Sequence, residues 1–225
     1  MNDADLARQR GELADIIDRH CATDGTVETA VPGLKLFRGS STDAPTCTII
    51  ASVFAIMAQG AKRLTVGEDT FDYDARHYLI SSVDLPIFSR ITCASIGEPY
   101  LGLALNIDLV KINELAAEMS KIRPLDAVDR GIGVGVVSLE IHNTALRLAR
   151  LLDTPDDIPV LAPIIERELL YRLLTGSLGS RLRQAAAGGS HSHQIVRAID
   201  WLKTNLDQPI SIDRLASLSN MSKSS

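Results

Sequence analysis

The sequence has no apolar run long enough to cross a bilayer. Its longest, Ile49 to Met57, is interrupted by Ser52 and falls far short of the roughly 20 residues that a spanning helix needs. No basic stretch precedes an apolar one at the amino terminus, where Asp3 and Asp5 come early instead. That excludes the pattern of a secretory signal and predicts a cytoplasmic protein. Cys21, Cys47 and Cys93 are odd in number, widely spaced and form no CxxC pair, which argues against a disulfide framework and a structural zinc site and predicts three reduced, partly buried thiols. Positive charge is in short supply too. A formal net charge of -5 has the wrong sign for a chain whose whole surface attracts phosphate, so any contact with DNA has to be local.

Clustered metal ligands are also missing. His77 is the only histidine between Val31 and Asp108 and has no partner two residues away, His20 and His142 fall in helical patterns, and His191 and His193 lie in a Gly/Ser stretch without a third ligand. The expectation is no metal and no cofactor. The glycines of GIGVGVVS do not form the GxGxxG spacing that cradles a dinucleotide. Glu140 with His142, and Glu166, Arg167 and Glu168 together, sit in helical patterns where their charges can face water. No nucleophile, base and orienting group converge, so an enzyme is not expected.

What is present is an ordinary globular balance, 45% hydrophobic and 23% charged, in segments of different texture. Leu6, Leu13, Ile16 and Ile17 share a helical stripe. From Val31 to Asp108, short runs rich in Val, Ile, Thr, Tyr and Phe alternate with Gly, Pro and Asp punctuation, the mark of closely spaced strands in a small barrel or sandwich. Alternation from Ile87 to Ser95 puts Ile87, Ile91 and Cys93 on one face, so Cys93 is expected to point inward.

After Ile107 the period becomes helical. Leu109, Ile112, Leu115 and Met119 form one stripe, and Leu139, His142, Leu146 and Ala149 another. Between them Gly131, Gly133 and Gly135 mark an irregular or extended segment. Pro155 and Pro159 bracket an acidic turn before a third helix that ends near Gly176. Gly188 to His193 is a small, polar linker, followed by a helical face of Ile195, Ile199, Leu202 and Leu206 stopped by Pro209. Ser211 is a fitting N-cap for a helix over Ile212 to Ser219, Asn220 and Met221 a turn, and Ser222 the cap of a next helix at Lys223. That is the layout of a helix-turn-helix, whose second helix enters the major groove.

The segment ISIDRLASLSNMSKSS resembles the start of the first helix-turn-helix of AraC/XylS transcription regulators, matching at Leu215, Ala216, Met221, Ser222 and Ser224. Upstream, SVFAIMAQGAKRLTVGEDTFDYDARHYLISSVDLPIFS and PIIERELLYRLLTGSLGSRLRQ resemble the N-terminal domain of one AraC subgroup. The resemblance implies an α+β protein: a cupin-like β-barrel sensor, a helical dimerisation layer and a truncated all-α helix-turn-helix segment ending at Ser225. The corresponding divisions are a lead-in over 1–30, the barrel over 31–107, the helical layer over 108–187, a linker over 188–193 and the start of the DNA-binding domain over 194–225.

A small-molecule effector, a homodimer and, for the full-length protein, a DNA operator are the expected partners. Gln59, Lys62, Tyr78 and Cys93 are candidate pocket residues, Leu146 and Leu151 candidate dimer contacts, and Ser222, Lys223 and Ser224 candidate DNA contacts. The alternative is a cupin-like small-molecule-binding or enzymatic domain without a DNA role, and a third possibility is a module that only dimerises.

Overall fold

The computed structural model of the chain describes residues 3–42, 45–82, 85–119 and 131–187. The expected linker and helix-turn-helix, with Ser222, Lys223 and Ser224, lie outside the described residues. Helix α1 (Asp3–His20) leads into β1 (Gly25–Glu28), β2 (Leu34–Gly39), β3 (Thr46–Ile50), β4 (Val53–Gln59), β5 (Ala61–Val66), β6 (Asp69–Asp74), β7 (His77–Ser81), β8 (Leu85–Cys93) and β9 (Tyr100–Asn106). Then come α2 (Leu109–Glu118), β10 (Ile132–Val136), α3 (Leu139–Arg150), α4 (Ile158–Thr175) and α5 (Gly179–Ala187).

The strands form two antiparallel sheets. The larger has the order β1-β2-β9-β4-β7-β10 and the smaller β3-β8-β5-β6. The expected closed barrel is therefore corrected to an open sandwich. Closure would require the edge strands of the larger sheet, β1 and β10, to pair with those of the smaller, β3 and β6, and among the described residues they do not. Strand β10 is the segment of spaced glycines, and it returns from the helical half of the sequence to complete the larger sheet. Gly60 makes the crossing from β4 in the larger sheet to β5 in the smaller one. It holds a left-handed φ of 88°, and a Cβ there would lie 2.7 Å from the carbonyl oxygen of Cys93, so only glycine fits.

Period-2 alternation divides the larger sheet into two buried faces. In β4, Phe54, Ile56 and Ala58 join the core under the helices, while Val53 and Met57 join the core between the sheets. In β9, Leu101, Leu103 and Leu105 turn to the helices and Tyr100 and Ala104 to the other sheet. A strand buried on both faces reads as a continuous apolar run, which is why Val53 to Ala58 shows no polar alternation.

The helices close over one face. Asp108 caps α2 by accepting from the amide of Val110 at 2.8 Å, and Ser138 caps α3 by accepting from that of Ile141 at 3.2 Å. Helix α3 is buried on most of its circumference, packed against both α1 and α4. One apolar core runs from Leu13 and Ile17 in α1 through Leu34 and Leu103 to Leu146, Leu169 and Leu182, so the expected division at residue 107 falls inside a single core. Leu146 and Leu151, expected at a dimer contact, are only 0% and 5% exposed within this core. Their stripe is consumed by α3 packing inside its own chain, which corrects that assignment.

His142 lies in the same layer, 1% exposed, with neither ring nitrogen hydrogen-bonded among the described residues. Burial, aided by the charge of Arg10, pushes its pKa from the ordinary 6.5 down to about 4. The folded chain therefore holds this ring neutral, and the stability it permits is complete above pH 6.5 and is lost as pH falls toward 4. A shift of that size corresponds to about 3 kcal/mol. Denaturant titrations between pH 7 and pH 4 are expected to show a loss of that order in the wild type and a clearly smaller one in His142→Leu.

Candidate ligand cavity between the sheets

The two sheets enclose a cavity of about 280 Å³. Its walls follow from the alternation: Val53 and Ala55 of β4, Leu79 of β7 and Ala104 of β9 face Leu64 of β5 and Ile87 of β8. Small side chains at positions 55 and 104 leave the space open, because opposing sheets otherwise fill the gap with interdigitating residues. The concave, mostly apolar lining carries a few convergent polar groups, as small-molecule sites do.

Those polar groups are Lys62 of β5, Tyr73 of β6, Ser89 of β8, Tyr100 of β9 and the more exposed Thr26, Lys35, Thr48 and Asn106. The Lys62 ammonium stands 5.9 Å from the centre of the Phe37 ring and 5.6 Å from that of Tyr100, within range for a cation–π attraction to both faces. Desolvation by these walls lowers its pKa below the usual lysine value. Burial raises both phenols, that of Tyr73 further because Tyr100 is its neighbour, so both remain neutral hydrogen-bonding groups at physiological pH. Lys35 is paired with Glu28 at 2.6 Å.

Of the four pocket residues expected from sequence, Lys62 faces the cavity and three do not. Gln59 donates its side-chain amide to the carbonyl of Pro99 at 2.8 Å, fastening the β4 end to the approach to β9. Tyr78 lies on the opposite face of the larger sheet, 1% exposed and 6.0 Å from the ring of Phe54. Its ring passes under Gly135, where any Cβ would stand 2.7 Å from it. Cys93 is exposed rather than inward. The reason is a β-bulge: Ala61 pairs with Cys93 and the next residue, Lys62, with Ile91, which leaves Thr92 as an extra residue. One inserted residue reverses the facing of everything beyond it.

Tyr73 and Tyr100 were missed by the sequence reading. The alternation of Phe71 and Tyr73 along β6 is the only signal for the first, and nothing in the neighbourhood of Tyr100 indicates which sheet it faces. His77 is tied to Asp74, with Nδ1 2.8 Å from the carboxylate. Among the described residues no three His, Cys, Asp or Glu side chains gather as metal ligands, and no described helix is long and apolar enough to cross a membrane. Glu166 and Glu168 accept from Lys111 and Arg147 at 2.7 and 2.6 Å, which makes them ion-pair partners between helices.

The bulge predicts a reactivity pattern. Cys47 and Cys93 are exposed and Cys21 is buried with a raised pKa, and thiolate fraction and access together set the rate of modification. A chromogenic disulfide reagent is expected to titrate two thiols quickly in the native protein and the third only in denaturant. A single fast thiol, with Cys93→Ser leaving the fast count unchanged, contradicts the bulge.

Comparison with known proteins places this geometry in a family. No curated protein sequence matches the chain. Among solved structures, the apo K231A form of ToxT from Vibrio cholerae is 11% identical, covering 88% of this chain and 92% of that one with a TM-score of 0.41. The AraC-like transcriptional activator CuxR is 9% identical over 86% of this chain and 69% of its own, with a TM-score of 0.36. A cupin protein from Bacteroides fragilis is 13% identical over 48% of this chain and 91% of its own, at 0.26. The family described as the AraC-type transcriptional regulator N-terminus matches residues 30–181, which hold β2 to β10 and α2 to α4, and the chain belongs to that family.

Proposed function

We propose that the chain is the sensing and dimerising part of a cytoplasmic one-component transcription regulator. A small molecule with a largely apolar body occupies the cavity between the sheets, and its presence biases the packing of the helical layer. Paired helix-turn-helix segments, carried beyond the linker at 188–193 and contacting DNA through the helix that begins at Ser222, Lys223 and Ser224, are repositioned as a result. The observation that carries this reading is the two-faced larger sheet. Val53, Ala55 and Leu79 line the cavity while their sequence neighbours Phe54 and Ile80 pack under the helices, so occupancy on one side acts on the same strands that seat α1, against which α3 packs.

A pair of chains is supported by α4 in place of Leu146 and Leu151. Val160, Ile164 and Tyr171 are 66%, 59% and 42% exposed and recur at the spacing of one helical stripe, with Leu161 beside them. A two-fold contact between such stripes would bury the same residues on both copies. Apolar side chains on this scale are uncommon on the free face of a soluble helix that also buries Ile165, Leu169 and Leu173 on its other side.

Two experiments test the reading. For the cavity, Ala104→Phe fills the space between the sheets, and a metabolite-panel thermal-shift screen is expected to yield stabilisers of the wild type that no longer act on this variant. Stabilisers that act equally on both would place the ligand elsewhere. For the assembly, sedimentation is expected to show a dimer at micromolar concentration, converted by Ile164→Asp to a folded monomer, while Leu146→Asp unfolds the chain by stranding a charge in its core. A wild-type monomer at high micromolar concentration contradicts the dimer.

A further inference from the structure

Among the described residues, the cavity contains a cation with no carboxylate to balance it. None of the described residues lining it is Asp or Glu, and among the described residues no carboxylate forms an ion pair with Lys62, whereas Lys35 is neutralised by Glu28. The ammonium is held over the Phe37 and Tyr100 rings, an arrangement that offsets part of its desolvation but supplies no counter-charge. A protein that needed only an apolar filling here could place a Leu or Met at position 62 with no loss of packing. Among the described lining residues the lysine is instead the one charged group without an ion-pair partner, in a space walled by Val53, Leu64, Leu79 and Ile87.

We infer that the ligand of this cavity is a small amphipathic monoanion, a carboxylate on an apolar body, whose charge is met by the Lys62 ammonium. This rests on the reading of the cavity as the effector site. A carboxylate accepts from the ammonium and has lone pairs left for a phenol, and Tyr73 and Tyr100, both neutral donors, open on the same space. The apolar walls then receive the rest of the molecule. Size guides the choice: at ~30 Å³ for each water-sized group, 280 Å³ holds about ten non-hydrogen atoms, which fits a phenylacetate or a medium-chain acid. An aromatic or branched tail suits a chamber bounded by Phe37, Tyr73 and Tyr100.

The test is a matched-pair calorimetric titration of the chain with phenylacetate and phenylacetamide, and with octanoate and octanamide. The acids are expected to bind at least tenfold more tightly than their amides in the wild type. Lys62→Met is expected to abolish that preference while leaving the amides bound, and Lys62→Arg to retain it. Circular dichroism melts show whether each variant is folded, and Lys62→Gln serves where Lys62→Met is not. Equal affinity for acid and amide in the wild type, or an unchanged preference in a folded Lys62→Met, overturns the anion while leaving the cavity as the sensor site. Binding by all four compounds that survives Ala104→Phe counts against the cavity reading itself. Silence of all four overturns the inferred ligand class and leaves the sensor reading to the panel screen.

Discussion

The architecture depends on the centre of one sheet having no solvent face. Strands β9, β4 and β7 of the larger sheet are covered by helices on one side and by the smaller sheet on the other, so nearly every residue of β4 and β9 has to satisfy one of two neighbours. That requirement dictates the near-continuous apolar character of Val53 to Ala58 and of Leu101 to Leu105. It also draws β10 back from the helical half of the sequence, because β7 would otherwise present an unpaired edge between two apolar layers.

The same constraint makes the sheet a common wall between chamber and helices. Backbone at Ala55 or Leu79 cannot move without moving Phe54 or Ile80 on the reverse side, and those side chains share a core with Leu146 and Leu169. Interiors packed to crystal-like density transmit such displacements instead of absorbing them. Ion pairs tie the layer at its margins: Arg150 holds Glu12 through two bonds of 2.7 and 2.8 Å, linking α3 to α1, and Arg147 holds Glu168 across α3 and α4. Being largely exposed, each contributes at most ~1 kcal/mol and sets orientation more than stability. Helix α4, seated on this layer and apolar on its outer stripe, is where, in the proposed dimer, a shift of the wall would reach the second copy.

Much of this was legible in the sequence, for identifiable reasons. Period 3.6 in Leu13, Ile16 and Ile17 and in Leu139 to Ala149 marks α1 and α3, and turn residues at Gly67-Glu68 mark the β5–β6 hairpin. Lys62 could be suspected as a cavity residue. What was not legible depends on events a single strand does not encode. The bulge at Thr92 turns Cys93 outward although its alternation is regular, since register is a property of the pair β5–β8. Tyr78 goes to the helical face because its register pairs it with Ile56, which faces the helices, and Gly135 and Gly176 clear room for its ring. Leu146 and Leu151 are as apolar as interface residues, and only the presence of α1 and α4 over α3 shows that their own chain already covers them.

The central claim is that the space between the sheets, and no other surface of the chain, receives the effector. The most direct measurement is a crystallographic fragment screen that includes neutral and anionic compounds of about ten non-hydrogen atoms, the size the cavity accommodates. The account predicts density enclosed by Leu79, Ala104 and Leu64, with anionic fragments directed toward Lys62. Fragments that gather instead on the outside of the sheets or along α4, with the chamber collapsed on its own side chains, would contradict it.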